Sequence, residues 1–549
     1  MMHDTFPSDA LVNLYGAEDA ARCEAELRTL VSAMSGGQPN AKNRVSVWLL
    51  AYPAHLEDAD LSGMQALNSL LDHTDDQFQH LHLLPPFRSG GDFGFAPADH
   101  FELESKAGTW NDLKALSHRR TLSIDLILNH VAPSHPWAEA VLAGKVDLDD
   151  EPFIRVDPHA DYSALARSRH HPPVSAYGSV DGVRHYWTRY GHTQIDLDYR
   201  KPQVLIRMAK VLVEYAHRGV GGLRLDALAF LWKDASRSSA NEPEVFHLLE
   251  VFRWIADRSG LTTLIAEGDV CAGVSPYVTP DARRASIAYR YESAPVVLST
   301  LLRSSSAPLM KWIQDHGHQL HRTPALNFLS THDGVYLRPY DPPVPPQDID
   351  VLARATLDNG GAVIERVVND AVLRYELDIS IIDLLDGEGD GAERLAAGIT
   401  LICWLPGTPM VYLGHLLGVR NDDELVRVTG DERARNRGSI SLTEGLQRVR
   451  DGIGARVIEA VREFREVAAA YDAFDPASPI GVGPDLGDHV VSVTRTGANS
   501  SALCLLSLGK SRTVQIPAKY RPDGRDFVDL GPWESIVLHE IGSKRESAT

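Results

Sequence analysis

The chain has 549 residues, enough for a barrel of about 250 residues plus smaller domains, with 44% hydrophobic and 23% charged residues. That balance favours neither a disordered nor a membrane-spanning class, and a net charge of −20 argues against nucleic-acid partners, which are met by basic patches. Cys23, Cys271, Cys403 and Cys504 are widely spaced without CxxC or His-interleaved patterns, so neither a disulfide framework nor a zinc site is indicated. The N-terminus shows no basic segment followed by an apolar run, and no stretch of about 18 apolar residues occurs. These features predict a soluble, cytoplasmic protein without membrane contact.

Residues 9–34 carry apolar positions at helical spacing and end at Gly36-Gly37, predicting a packing helix outside the main fold, within an N-terminal segment 1–43. Eight short apolar runs follow: VSVWLLAYP (45–53), HLHLLPPF (80–87), TLSIDLILNH (121–130), VGGLRLDAL (220–228), TTLIAEG (262–268), ASIAYR (285–290), ALNFLSTHD (325–333) and PMVYLGH (409–415). Helical patterns lie between several of them, as at Val204, Leu205, Met208, Val211, Leu212 and Tyr215. Alternating strands and helices call for a parallel sheet, and eight repeats suggest closure into a (β/α)8 barrel over 44–471. Two long connections, 131–198 and 334–391, are read as subdomains at its mouth, because long loops in compact folds are usually functional. After 472 the runs HVVSVTRT, SALCLLSL, RTVQIPA and ESIVLHEI predict an antiparallel C-terminal β domain, 472–549, ending in a disordered tail.

Within Gly222–Phe230, strand alternation puts Arg224 and Asp226 on one face. Burying two charges costs several kcal/mol per ion by order of magnitude, so a functional carboxylate kept ionised by a cation is one reading. A structural ion pair is the other. His130, Asp226, Glu267 and His332-Asp333 all fall near the C-terminal ends of predicted strands, where a barrel of this kind places its reactive groups.

On these residues the chain resembles the α-amylase family of glycosidases and transglycosidases, glycoside hydrolase family 13. Its four signature regions stand in order at 125–130, 222–230, around Glu267 and at 330–333. The stretches HLLPPFRSGGDFGFAPADH (82–100), TQIDLDYRKPQVL (193–205), FLSTHDG (328–334), PGTPMVYLGHLLGVRNDDEL (406–425) and RARNRGS (433–439) are most similar to the sucrose phosphorylase group. That group includes glucosylglycerate, glucosylglycerol and sucrose 6'-phosphate phosphorylases.

The resemblance implies a retaining α-glucoside phosphorylase. Asp226 would be the nucleophile, Glu267 the general acid/base and Asp333 the transition-state carboxylate. His130, Arg224 and His332 would hydrogen-bond the glucose and Asp226, Asp92 and Arg437 would clamp its far end, and Phe95 and Tyr186 would pack on the ring. Asp378 would belong to the substrate-binding set. Inorganic phosphate enters as co-substrate, with no cofactor and no metal; a lone Asn129 does not supply the roughly six to eight oxygens that calcium takes. The expected partners are a small α-glucoside and phosphate, and the expected state is a monomer or homodimer.

The chain departs from the group at 231–239, at Gly268-Asp269-Val270-Cys271, and at Ser380 and Ile381, which stand where a Tyr and a Gln surround fructose and phosphate. Sucrose is therefore an unexpected substrate. An anionic aglycone would call for a cation among Arg189, Lys233, Arg237 and Arg374. A hydrolase or transglucosidase shares all the barrel motifs, whereas a non-catalytic barrel would be expected to have lost Asp226 or Glu267.

Overall fold

The eight apolar runs become eight strands: β1 (Trp48–Ala51), β2 (His80–Leu83), β3 (Thr121–Ile127), β4 (Gly222–Asp226), β5 (Thr263–Asp269), β6 (Ile287–Tyr289), β7 (Ala325–Asn327) and β8 (Thr408–Tyr412). They form a closed barrel in the order β1-β8-β7-β6-β5-β4-β3-β2, the parallel (β/α)8 arrangement. Strands covered on both faces are buried along their length, and β1, β2 and β4 are buried at every position, the histidines of β2 and the charged pair of β4 included. The computed structural model describes residues 5–32, 34, 45–165, 172–368, 371–387, 389–521 and 525–540. The glycine pair 36–37 and the tail 542–549 lie outside the described residues.

The chain divides into two compact units, residues 1–40, 82–268 and 276–288 in the first and 41–81, 269–275 and 289–549 in the second. In the first, α1 (Ser8–Ser32) packs on α2 (Pro202–His217) and α3 (Pro243–Arg258). Tyr15 donates its hydroxyl to the carbonyl of Tyr199 at 3.0 Å, fixing α1 just before α2. Both α2 and α3 begin with proline at a position where its missing N–H costs nothing. Every apolar position predicted for α2 is buried. The connection after β3 contains a short helix, Pro136–Leu142, and an antiparallel hairpin, Val174–Ser179 with Gly182–Trp187.

In the second unit the connection after β7 contains a helix, Pro346–Asp358, and a hairpin of Ala362–Val368 with Ala371–Asp378. The C-terminal runs form an antiparallel four-stranded sheet from Ile480–Val482, Val490–Thr496, Ser501–Ser507 and Ser535–His539, and a pair from Arg512–Gln515 and Phe527–Leu530. Buried Arg495 anchors that sheet by donating to the carbonyls of Trp404 and Ala473 at 2.6 and 3.1 Å. No helix among the described residues is long and apolar enough to cross a membrane. All four cysteines are free thiols.

Among the buried histidines of these two units, four have pKa values held far below the ordinary range and are neutral rings. Burial pulls His55, His135 and His415 down to about 3 and His100 to about 4. His100 and His135 also meet ring to ring at 3.0 Å between nitrogens, so protonating both is opposed by their mutual repulsion. An unfolded histidine titrates near 6.5. Below that pH the unfolded chain binds more protons than the folded one, so stability is lost as pH falls from about 6.5 toward the folded values. The thermal midpoint should decline steadily from pH 7 to pH 5, with proton uptake on unfolding. A midpoint that holds or rises over that range would contradict the assignment of neutral buried rings.

Candidate active site

The first unit holds the site residues of β3, β4 and β5. In the parallel register Asp125 pairs with Arg224 and Ile127 with Asp226. On the other side Ile265 pairs with Arg224 and Ala266 with Leu225. Continuing that register by one step puts Glu267 beside Asp226, and the period of two turns both carboxylates the same way.

Arg224 is the hub. Its guanidinium contacts Asp226 Oδ1 at 3.0 Å and Glu267 Oε1 at 3.1 Å, and also pairs with Asp125, which in turn contacts His82 at 3.1 Å. Asp226 is almost wholly buried, whereas the Glu267 side chain is 25% exposed. A carboxylate in contact with a cation is favoured in its ionised form, as a nucleophile must be, and Glu267 beside it is reached by solvent. Ala227, directly after Asp226, has φ of 52°. That strained conformation turns its N–H onto Glu267, which accepts the hydrogen bond.

Around this core, the His130 ring contacts the Phe95 carbonyl at 2.7 Å and the Asn129 side chain at 3.1 Å, and burial holds its pKa down. Phe95 is buried with the Arg224 guanidinium 5.6 Å from its ring centre. Asp92, also at φ 50°, accepts from Gln194 at 3.2 Å, and Gln194 reaches the Phe95 carbonyl at 3.3 Å. Asp92, Phe95 and His130 are thus joined through one amide.

Tyr186, expected on the sugar ring, lies in the connection after β3, its buried ring against Phe153 and Tyr177 at 5.9 and 6.0 Å. The aromatic ring on His130 is Tyr190, 5.3 Å away. Burial, followed by the charges of Glu267 and Asp226, pushes its phenol well above the ordinary value.

The four cations predicted for an anionic aglycone are engaged internally. Lys233 is fully buried, 2.7 Å from Asn129 Oδ1 and 3.4 Å from Asp196 Oδ2, and burial lowers it to about 8. Arg189 lies over Phe230 and donates to the Ser239 carbonyl at 3.0 Å. Arg237 pairs with Asp234, Glu242 and Glu244, and Arg374 with Asp350 and Glu365.

In the second unit His332 and Asp333 follow β7 by several residues, in a tight Thr331–Gly334 turn, and not at its last pair as the run 325–333 predicts. At that last pair the Asn327 side chain donates to the Pro406 carbonyl at 3.0 Å and accepts from Arg290 at 2.8 Å. Asp333 Oδ1 receives Arg437 at 3.1 Å and Arg433 at 3.0 Å, and His332 Nε2 lies 3.4 Å from Oδ2. Arg437 also donates to the His332 carbonyl at 2.9 Å, and the His332 ring stands edge-on to Tyr52.

Asp378 closes the hairpin strand Ala371–Asp378, buried beside Glu376. Burial, then the charge of Glu376, pushes its carboxyl well above the ordinary range. Ser380 turns its hydroxyl onto the Val419 carbonyl and its N–H onto Asn421, and Ile381 is fully buried. Arg433, Glu376, Tyr190 and Gln194 are the residues that reading the sequence did not single out. Arg433 and Gln194 stand inside the quoted stretches RARNRGS and TQIDLDYRKPQVL.

The profile of the alpha amylase catalytic domain matches residues 51–335. The chain belongs to the alpha-amylase family. Within that family it is similar to the glucosylglycerate phosphorylase of Escherichia coli, 28% identical over 97% of this chain and 99% of that protein. It is equally similar to the glucosylglycerate phosphorylase of Spirochaeta thermophila, 28% identical over 85% of this chain and 81% of that protein. The solved sucrose 6F-phosphate phosphorylase of Thermoanaerobacter thermosaccharolyticum shares the fold, with a TM-score of 0.75 at 23% identity, covering 90% of this chain and 100% of that one.

Proposed function

We propose that this protein is a retaining α-glucoside phosphorylase, with Asp226 as nucleophile, Glu267 as general acid/base and Asp333 as the carboxylate that stabilises the transition state. The observation that carries the reading is the single guanidinium of Arg224 shared by Asp226 and Glu267 at 3.0 and 3.1 Å. In the first step Asp226 attacks C1, the glycosidic C–O bond breaks, and Glu267 gives its proton to the departing oxygen. In the second, a phosphate oxygen attacks C1, Glu267 takes its proton, and the ester to Asp226 breaks to release α-glucose 1-phosphate. His130, Phe95, His332 and the pair Asp92 and Arg437 hold the glucose, and Asp378 takes part on the aglycone side.

The aglycone we favour is small, of the glycerate or glycerol type. Two relatives named as glucosylglycerate phosphorylases support this, as do the engagement of the Ser380 hydroxyl by the Val419 carbonyl and the burial of Ile381, which keep those two side chains from fructose hydroxyls. The free cysteines fit a cytoplasmic enzyme, working as a monomer or homodimer on small molecules.

The test is to incubate the protein and inorganic phosphate with sucrose, glucosylglycerol and glucosylglycerate at equal concentrations, assaying glucose 1-phosphate and free glucose together. Glucose 1-phosphate should exceed free glucose, with sucrose slowest. Free glucose alone would replace the phosphorylase by a hydrolase. Sucrose fastest by about tenfold, a difference of ~1.4 kcal/mol in transition-state binding, would overturn the aglycone assignment.

A further inference from the structure

Asp333 stands in a turn, with its side chain 28% exposed, and two guanidinium groups converge on the same oxygen. Arg437 is fixed from its own side by the His332 carbonyl. Arg433 is fixed differently. Its Nε and Nη2 grip the two oxygens of Glu376, both at 2.6 Å, leaving Nη1 to reach Asp333 at 3.0 Å. Such a two-pronged grip sets the orientation of the guanidinium plane as well as its position.

Glu376 comes from the hairpin in the connection after β7, where it lies opposite Tyr336 and Ile364. That hairpin is also pressed against the turn that carries Asp333. Gly334 has φ of 79°, and a Cβ there would come within 2.4 Å of the Leu377 carbonyl oxygen and 2.9 Å of Asp378 Oδ1. The turn and the hairpin are thus joined twice, by close backbone approach and by the Glu376–Arg433–Asp333 chain.

We infer that Glu376 is a positioning residue for the glucosyl-transfer reaction, acting on Asp333 through Arg433. This rests on the reading of Asp333 as the transition-state carboxylate. Glu376 holds Arg433, Arg433 orients the Asp333 carboxylate, and the hairpin on the aglycone side is thereby tied to the group that binds the glucose at the transition state. Because a contact that matters chiefly at the transition state appears in kcat and not in KM, loss of Glu376 should slow turnover without weakening substrate binding.

The experiment uses the full-length protein and α-glucosyl fluoride with phosphate, a donor that carries no aglycone for the hairpin to touch. Glu376→Gln should lower kcat by about 10- to 100-fold with KM within about threefold of wild type. The Glu376→Gln/Arg433→Met double variant should be no slower than Arg433→Met alone, within about twofold, since residues acting in series do not add. Glu376→Asp keeps the charge but shortens the reach by one methylene, and should lose kcat while circular dichroism shows it still folded at the assay temperature. Wild-type kcat in Glu376→Gln or Glu376→Asp, or a double variant slowed by the product of the two single effects, overturns the inference. Wild-type protein inactive on α-glucosyl fluoride would instead remove the phosphorylase reading itself, before any variant is compared.

Discussion

Replacing Asp226 by Asn abolishes turnover on every α-glucoside, including α-glucosyl fluoride, while the folded structure persists. An amide oxygen cannot form the glycosyl ester, and loss of a covalent nucleophile costs about 10^4-fold or more in kcat. The amide is the same size as the carboxylate and keeps an oxygen for Arg224, whose guanidinium still pairs with Asp125 and Glu267. Circular dichroism and the melting temperature should therefore stay close to wild type. Glu267→Gln behaves differently, because fluoride leaves without a proton: natural glucosides stop while α-glucosyl fluoride still forms the ester. Steady-state assays on both donors separate the roles, and appreciable turnover in Asp226→Asn would remove it as nucleophile.

Arg224→Met should be the most destabilising single change in the barrel. The guanidinium contacts Asp125, Asp226 and Glu267, of which Asp125 is fully buried and Asp226 nearly so, and sets one positive charge against the three. Removing one partner of a buried ion pair strands the other charge, at a cost of about 3–5 kcal/mol. Chemical denaturation should show that loss, and adding Asp125→Asn should recover part of it because one stranded charge is then gone. A variant as stable as wild type would mean that these carboxylates are not paired as described.

The barrel was legible in the sequence because its strands are covered on both faces, so each appears as a mostly apolar run. The strand holding Arg224 and Asp226 was legible for the opposite reason, since two charges on one face of such a run stand out. Strand ends were less so: the run 325–333 stays mostly apolar through Leu329, yet β7 stops at Asn327. Tyr186 and Tyr190 share a parity in YWTRY, but the hairpin strand ends at Trp187, so alternation no longer says where Tyr190 points.

Charged side chains were the hardest to read. Arg189, Lys233, Arg237 and Arg374 are visible as cations, while the carboxylates, carbonyls and ring that engage them depend on tertiary placement. Arg433 and Glu376 lie 57 positions apart, and nothing local in either segment announces that they meet.

The most direct measurement is mass spectrometry of the Glu267→Gln protein after mixing with α-glucosyl fluoride. The intact mass should rise by one anhydroglucose unit, and peptide mapping should place it on the fragment containing Asp226. Adding inorganic phosphate to a Glu267→Gln adduct so formed should discharge it as α-glucose 1-phosphate faster than water discharges it as glucose. An adduct on another residue, or one that water discharges as fast as phosphate does, would contradict a phosphorylase working through Asp226.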